Sequence, residues 1–145
     1  MMYDQAWLRD HLPHRGEMCL LDEVEACDGD LIRCRATSHR DPSNPLRHAG
    51  RLGIAAGIEY AAQAMAAHGA MLTPAGGRPR LGYIASVRGV ELLAGRLDVA
   101  ADLQVRAERI SGDDQTVLYA FEVAAEDVPL LRGRATVVLR AEVAA

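Results

Sequence analysis

Apolar residues recur at every second position over much of the second half of the sequence. The alternation is clearest around Leu103, Val105 and Ala107, and it returns between Val117 and Val123. Successive side chains of a strand point to opposite faces, so a period of two predicts strands with one buried face. The pattern predicts four strands, at residues 81–93, 99–110, 117–123 and 130–143, the first with a bulge at Gly89.

The N-terminal region predicts a short helix followed by a hairpin. Residues 4–11 are typical of a helix that Asp4 caps and Leu12-Pro13 ends. The predicted hairpin consists of an apolar run at 18–21 leading into a strand through 22–26, the turn Asp28-Gly29-Asp30, and a returning strand at 31–38.

A long helix is predicted over residues 53–71. Apolar residues recur at helical spacing on nearly every side of it, which is typical of a buried helix. They are Ile54, Ala55, Ile58, Ala61, Ala62, Met65 and Ala66. A loop at 39–52 precedes the helix, and a Pro- and Gly-containing breaker at 73–77 follows it.

Five or six strands and one buried helix predict an α+β fold. The helix lies in sequence between the first hairpin and the remaining strands. One curled antiparallel sheet wrapped around a central helix satisfies this order, because such a sheet needs only one partner layer. No linker or repeat divides the chain, so residues 1–145 are predicted to form a single domain.

Composition limits the classes of function. The net charge is −4, and all 16 basic residues are Arg, which argues against a nucleic-acid-binding protein. The three cysteines, Cys19, Cys27 and Cys34, form no CxxC pair and are interpreted as small core residues. We expect neither a disulfide framework nor a metal site, and no signal peptide or membrane span, which predicts a cytoplasmic protein.

Three motifs resemble 3-hydroxyacyl-acyl carrier protein dehydratases of the FabZ and FabA type. The segment Leu12-Pro13-His14-Arg15, followed by residues 18–22 (MCLLD), resembles the LPHR…LLVD opening of that family. Residues 44–48 resemble the loop that delivers its histidine, and residues 59–64 (EYAAQA) resemble its helix motif. The resemblance runs over the whole chain and is nearest to the ApeP-type subgroup associated with aryl polyene synthesis.

The resemblance implies a hotdog fold and a dimer whose sheets join, with two active sites at the interface. It implies that a histidine of one subunit faces an acid on the central helix of the other, and the matching residues here are His48 and Glu59. The implied partners are an acyl carrier protein and a second hotdog subunit, in a homodimer, a heterodimer or a higher oligomer. No cofactor is implied beyond the phosphopantetheine arm that carries the substrate.

Dehydration of a 3-hydroxyacyl thioester needs a base and an acid. A neutral imidazole suits removal of the proton next to the thioester, because its ordinary pKa lies near the working pH. A carboxylic acid can protonate the departing hydroxyl where burial keeps it neutral, and Glu59 has Ile58, Ala62 and Ala55 as helix neighbours. A backbone N–H near Gly57 is expected to stabilise the enolate oxygen.

Other polar residues near these positions have two interpretations each. Gln63, one turn after Glu59 and a candidate substrate-binding residue, either orients the Glu59 carboxyl or hydrogen-bonds a backbone group. Five arginines flank the site in sequence and either hold a phosphate or acidic carrier protein or form a solvated surface. They are Arg47, Arg51, Arg78, Arg80 and Arg88. The histidines His14 and His68 are expected to be structural.

The motifs depart from the family pattern in two places. Arg47-His48-Ala49-Gly50-Arg51 stands where the family has GHFPG, and only 11 positions separate His48 from Glu59 (59 − 48 = 11). These departures favour a second hypothesis, a non-catalytic subunit that pairs with a catalytic homologue. A hotdog acyl thioesterase is a third hypothesis, against which the LPHR opening and His48 argue.

Overall fold

The computed structural model describes residues 2–13, 16–73 and 80–141. Expectations for His14, Arg15, Arg78 and the side chain of Arg80 lie outside the described part. None of the helices within the described ranges is long and apolar enough to cross a membrane.

The first helix, α1, spans Gln5–His11, as predicted. The carboxylate of Asp4 accepts a hydrogen bond of 2.9 Å from the Trp7 amide, which is the expected N-cap. Leu8 is the buried residue of this helix, and Leu12 ends it in extended conformation. The short helix therefore contributes one anchor to the core.

Within the described residues, six antiparallel strands form one sheet. They are β1 (Glu23–Cys27), β2 (Leu31–Ala36), β3 (Arg80–Leu92), β4 (Leu103–Gly112), β5 (Thr116–Ala125) and β6 (Val128–Ala141). The order across the sheet is β1-β2-β4-β5-β6-β3. The second helix, α2, spans Gly57–Leu72 and continues directly from a 3₁₀ turn at Ile54–Ala56. This is the α+β hotdog arrangement that the sequence predicts.

The inner face of the sheet packs on α2 through the residues that alternate in the sequence. Leu103, Val105 and Ala107 of β4 are buried. On β5 the buried residues Val117, Tyr119, Phe121 and Val123 share one face. Their burial supplies the main apolar contribution to stability, on the order of 1.5–3 kcal/mol for each large side chain.

Strand β3 forms one edge of the sheet and is bulged as expected. The register against β6 shifts between Arg88 and Glu91, and Gly89 lies there with a φ of +59°. Because only glycine adopts this conformation readily, the bulge explains the glycine in the strand. Tyr83 and Leu92 of this strand are 54% and 53% exposed.

The opposite edge of the sheet is covered by the N-terminal segment. The amide of Val24 in β1 donates to the carbonyl of Tyr3 at 2.9 Å, and the amide of Met2 donates to the carbonyl of Val24 at 2.8 Å. Backbone groups at the middle of β1 are therefore paired, whereas β3 has a neighbouring strand on one side only within the described residues.

One predicted strand begins later than its sequence pattern indicates. Residues 99–102 belong to a loop, and β4 starts at Leu103. His39 Nε2 lies 2.7 Å from the carbonyl oxygen of Ala101, and the Arg40 guanidinium donates to the carbonyl of Ala100 and to Asp102. These side chains occupy the carbonyls that a strand would offer to its neighbour, so the prediction for 99–102 was wrong.

Candidate functional site

His48 stands in a tight hairpin that the chain makes before α2. The amide of His48 donates to the carbonyl of Arg51 at 2.8 Å, and the amide of Arg51 donates to the carbonyl of His48 at 3.0 Å. The two residues between them, Ala49 and Gly50, have φ values of 52° and 73°, as a type I′ turn requires. The His48 side chain is exposed on the subunit surface.

Glu59 lies in the first turn of α2. Its side chain is half-buried. It belongs to a stripe of α2 that the single subunit covers incompletely, unlike the fully buried opposite side. The stripe consists of Ala55, Ile58, Glu59, Ala62 and Ala66. The sequence predicts a helix buried on nearly every side, and the structure leaves this one face partly open.

Gly57 allows α2 to begin close to β6. A Cβ atom at this position would lie 2.2 Å from Cδ2 of Leu131, so any larger residue displaces that side chain. The Gly57 amide donates to the carbonyl of Ile54 within the 3₁₀ turn. The helical segment thus starts at Ile54, one turn before Gly57.

Gln63 bonds the backbone of the segment before β1. Its Nε2 donates to the carbonyl of Met18 at 2.5 Å, and its Oε1 accepts from the amide of Leu20 at 2.9 Å. The side chain is fully buried. Of the two roles considered for Gln63, the structure shows the backbone role, and both polar atoms of its side chain are used within the fold.

The Arg47 side chain hydrogen-bonds backbone carbonyls of the loop that contains it. Its Nε donates to the carbonyl of Asp41 at 2.8 Å, and its two terminal nitrogens donate to the carbonyls of His39 at 2.9 Å and Gly50 at 3.2 Å. Its guanidinium is therefore engaged in holding the loop, and the phosphate contact considered for it stays a prediction. Arg51 and Arg88 are exposed, and a carrier or phosphate contact for them stays a prediction.

A buried polar chain connects α2 with the loop that carries His48. Asn44 Nδ2 donates to the Tyr60 hydroxyl at 3.0 Å, and that hydroxyl lies 2.8 Å from Ser38 Oγ. The Ser38 hydroxyl donates its hydrogen bond to the carbonyl of Leu20 at 2.7 Å. Because its single proton is used there, the Tyr60 hydroxyl is the donor to Ser38. Burial raises the pKa of Tyr60, which keeps the hydroxyl neutral. Sequence reasoning did not assign Tyr60 a role, although it follows Glu59 directly.

A second residue missed by sequence reasoning is Asp98. Its carboxylate lies beside Arg47 and Arg96 in the loop between β3 and β4. Neither a motif nor a spacing in the sequence marks Asp98. Its partner Arg47 is 51 positions away, and its partner Arg96, two positions away, lies outside the predicted strands.

The structure resembles solved hotdog proteins. A subunit of the dehydratase heterocomplex ApeI:P from Xenorhabdus doucetiae matches with a TM-score of 0.81 and 21% identity, over 93% of this chain and 91% of that one. A putative thioesterase from Silicibacter matches with a TM-score of 0.67 and 16% identity, over 95% and 92% of the two chains. A thioesterase mutant from Pseudomonas aeruginosa matches at 0.58 and 19%, over 83% and 81%.

These identities are low, so the solved structures establish the fold alone. No curated protein matches the sequence. The family comparison is more specific, because the model of ApeP dehydratases, the ApeP-like family, matches residues 7–145. This match includes the His48 hairpin, all of α2 and the whole sheet. The chain therefore belongs to the ApeP-like dehydratase family.

Proposed function

We propose that the protein is a 3-hydroxyacyl-[acyl carrier protein] dehydratase that removes water to give a trans-2-enoyl thioester. The proposal rests on two features of one chain, an exposed histidine on a hydrogen-bonded hairpin and a helix acid on a partly open apolar stripe. Membership of a dehydratase family supports the same reaction. The pathway we propose is fatty acid or aryl polyene biosynthesis.

In the proposed reaction His48 acts as the base. Its neutral imidazole takes the proton from C2 of the acyl chain, and the electron pair of that bond forms the C2–C3 double bond. Glu59, protonated, gives its proton to the hydroxyl on C3, which leaves as water. We propose that a backbone amide near Gly57, in the first turn of the helical segment, stabilises negative charge on the thioester oxygen. His48 then returns its proton to the Glu59 carboxylate through solvent.

The site is proposed to form between two subunits. The exposed side chain of His48 and the partly open stripe around Glu59 are complementary halves, and each remains incomplete in one chain. Strand β3 offers an edge with exposed apolar residues along which two sheets can join. The partner is a second copy or a related hotdog subunit, and the ApeI:P assembly is itself a dehydratase heterocomplex.

A second candidate function is a non-catalytic subunit that stabilises a catalytic hotdog homologue. The interval of 11 positions between His48 and Glu59 favours it. A connection shorter than the family's limits the positions that the histidine can take relative to the helix. A thioesterase role is the third alternative. The similarity of this fold to those of two hotdog thioesterases supports it.

One assay separates these functions. The purified chain, alone and mixed with a catalytic homologue, is incubated with 3-hydroxyacyl and enoyl carrier protein. Interconversion by the chain alone supports the dehydratase, activity only in the mixture supports the subunit role, and release of free acid supports a thioesterase.

Variants test the site itself. We expect His48→Ala and Glu59→Gln each to lower turnover by about 100-fold or more, the usual range for a catalytic acid or base. Two variants are matched controls, and we expect near-native turnover for both. His11→Ala removes another exposed histidine, and Glu122→Gln changes an acid on the outer face of β5. Near-native turnover of either site variant contradicts the assignment.

A further inference from the structure

The loop between β3 and β4 inserts one nearly buried carboxylate next to the His48 hairpin. The side chain of Asp98 is 6% exposed. Its Oδ1 accepts from Nε of Arg96 at 2.9 Å, and its Oδ2 accepts from the Arg96 terminal nitrogen at 2.6 Å. The Arg96 guanidinium holds the pKa of Asp98 well below its usual range, so this group stays an anion at any working pH.

Arg47 connects this carboxylate to the hairpin. One terminal nitrogen of Arg47 lies 3.5 Å from Oδ2 of Asp98 and donates to the carbonyl of Gly50 at 3.2 Å. Gly50 is a central residue of the turn that presents His48, and Arg47 immediately precedes His48. A single guanidinium nitrogen thus contacts both the carboxylate and the turn.

Backbone bonds hold the same two segments together. The amide of Leu97 donates to the carbonyl of Leu52 at 2.9 Å, and Gly53 pairs with Arg96 as an isolated bridge. The hairpin is therefore fixed on its C-terminal side by the loop that also supplies Asp98. The side chain of His48 itself is exposed.

We propose that Asp98 and Arg47 are positioning residues that fix the orientation of the His48 hairpin for the reaction. This inference rests on the proposed dehydratase function. Asp98 lies nearly buried behind the hairpin and acts on His48 through Arg47 and the turn carbonyl. This clamp, formed by Asp98 and Arg47, is needed because Ala49 is a non-glycine residue with a φ of 52°, a conformation that costs free energy unless the surroundings fix it.

The substitution Asp98→Asn keeps the shape of the side chain and removes its charge. We expect kcat for the 3-hydroxyacyl thioester to fall by about tenfold or more with KM nearly unchanged, because a small misplacement of a catalytic group has effects of this size. The matched control is Asp102→Asn in the same loop, where the carboxylate pairs with Arg40 at 2.7 Å away from the hairpin. The control should change kcat by less than about twofold.

A double-mutant cycle with His48→Ala distinguishes positioning from general support of the fold. If Asp98 acts through His48, Asp98→Asn should cause no further loss in the His48→Ala background. The same loss of about tenfold in both backgrounds would show that Asp98 acts independently of His48, and this outcome overturns the inference. Arg47→Lys keeps the charge but not the set of carbonyl contacts, and it should behave like Asp98→Asn.

Amide hydrogen exchange tests the clamp without any enzyme assay. In Asp98→Asn the amides of His48 and Arg51 should exchange about tenfold faster or more, whereas Asp102→Asn should leave both rates unchanged. Unchanged rates in Asp98→Asn overturn the clamp whatever the activity. Faster rates in a protein that lacks dehydratase activity overturn the proposed function and leave the clamp as a device that orders this loop.

Discussion

The hydroxyl of Tyr119 in β5 lies 2.7 Å from Nδ1 of His68 in α2. The other ring nitrogen, Nε2, lies 2.8 Å from the carbonyl oxygen of Asp28, which can only accept. Nε2 therefore carries the proton, and Nδ1 accepts from Tyr119. Burial raises the pKa of Tyr119 to about 12, which keeps this donor protonated. One neutral histidine thus connects α2 to β5 and to the turn between β1 and β2.

Stability should fall when the pH is lowered past the ordinary pKa of histidine. Burial lowers the pKa of His68, and burial is also the largest cause of the lowered pKa of His39. The unfolded chain therefore binds more protons than the folded chain below about pH 6.5. The stabilisation is complete above that pH and is lost as the pH falls toward the lowered folded-state values, by at most about 1.4 kcal/mol per pH unit for each histidine.

Urea unfolding at about pH 7.5 and about pH 5.5 measures this effect. His68→Gln should be less stable than the native chain at the higher pH, because a hydrogen bond to Tyr119 or Asp28 is lost. It should also show a weaker dependence on pH across the interval. Equal pH dependence in the native chain and in His68→Gln contradicts the assignment of this effect to His68.

Gly57→Ala should destabilise the protein by about 1–3 kcal/mol, because the new Cβ meets the side chain of Leu131 in a packed core. The sign should change when space is made for it. In a Leu131→Ala background, Gly57→Ala should be neutral or stabilising by up to about 1 kcal/mol, since alanine favours a helix over glycine. Thermal or urea unfolding of the four proteins measures both values, and equal costs in the two backgrounds would exclude the contact as the cause.

Gln63→Met should lower the free energy of unfolding by about 2–6 kcal/mol. The substitution leaves the buried amide of Leu20 and the carbonyl of Met18 without their partner, and each unpaired group costs about 1–3 kcal/mol. Gln104→Met on the exposed face of β4 is the control, with an expected change of about 0.5 kcal/mol or less. A small effect at Gln63 together with a raised KM would instead support a substrate contact.

Leu92→Lys should weaken association through the β3 edge. Leu92 is 53% exposed in one subunit, and burying a lysine ammonium at a joined edge is unfavourable. Ile110→Lys is the matched control, because Ile110 is 47% exposed but lies on β4, inside the sheet order and away from that edge. Analytical ultracentrifugation should show a smaller species for Leu92→Lys only. Equal association of both variants places the interface elsewhere.

Local sequence patterns predict the elements of this fold well. The period of two identifies the buried faces of β4 and β5, Asp4 marks the start of α1, and Gly89 marks the bulge in β3. Each of these features depends on residues near one another in the chain, where spacing determines which side chains share a face.

The contacts that determine side-chain roles could not be predicted in the same way. Gln63 follows Glu59 by one helical turn, and only the fold shows that it bonds Met18 and Leu20. Asp98 meets Arg47 across 51 positions of sequence. Partners this far apart in the chain leave no periodic signal, so their pairing depends on how the loops pack after the sheet has formed.

The Tyr3–Val24 pairing limits how large an assembly joined along sheet edges can become. A filament of such sheets would require every copy to bind neighbours at both of its borders. Because the N-terminal segment pairs with β1, the part of the chain that the structure describes leaves β3 as the border open to a neighbour. We therefore expect growth by this route to stop at two copies, which would protect a chain whose β3 has one open edge from open-ended polymerisation.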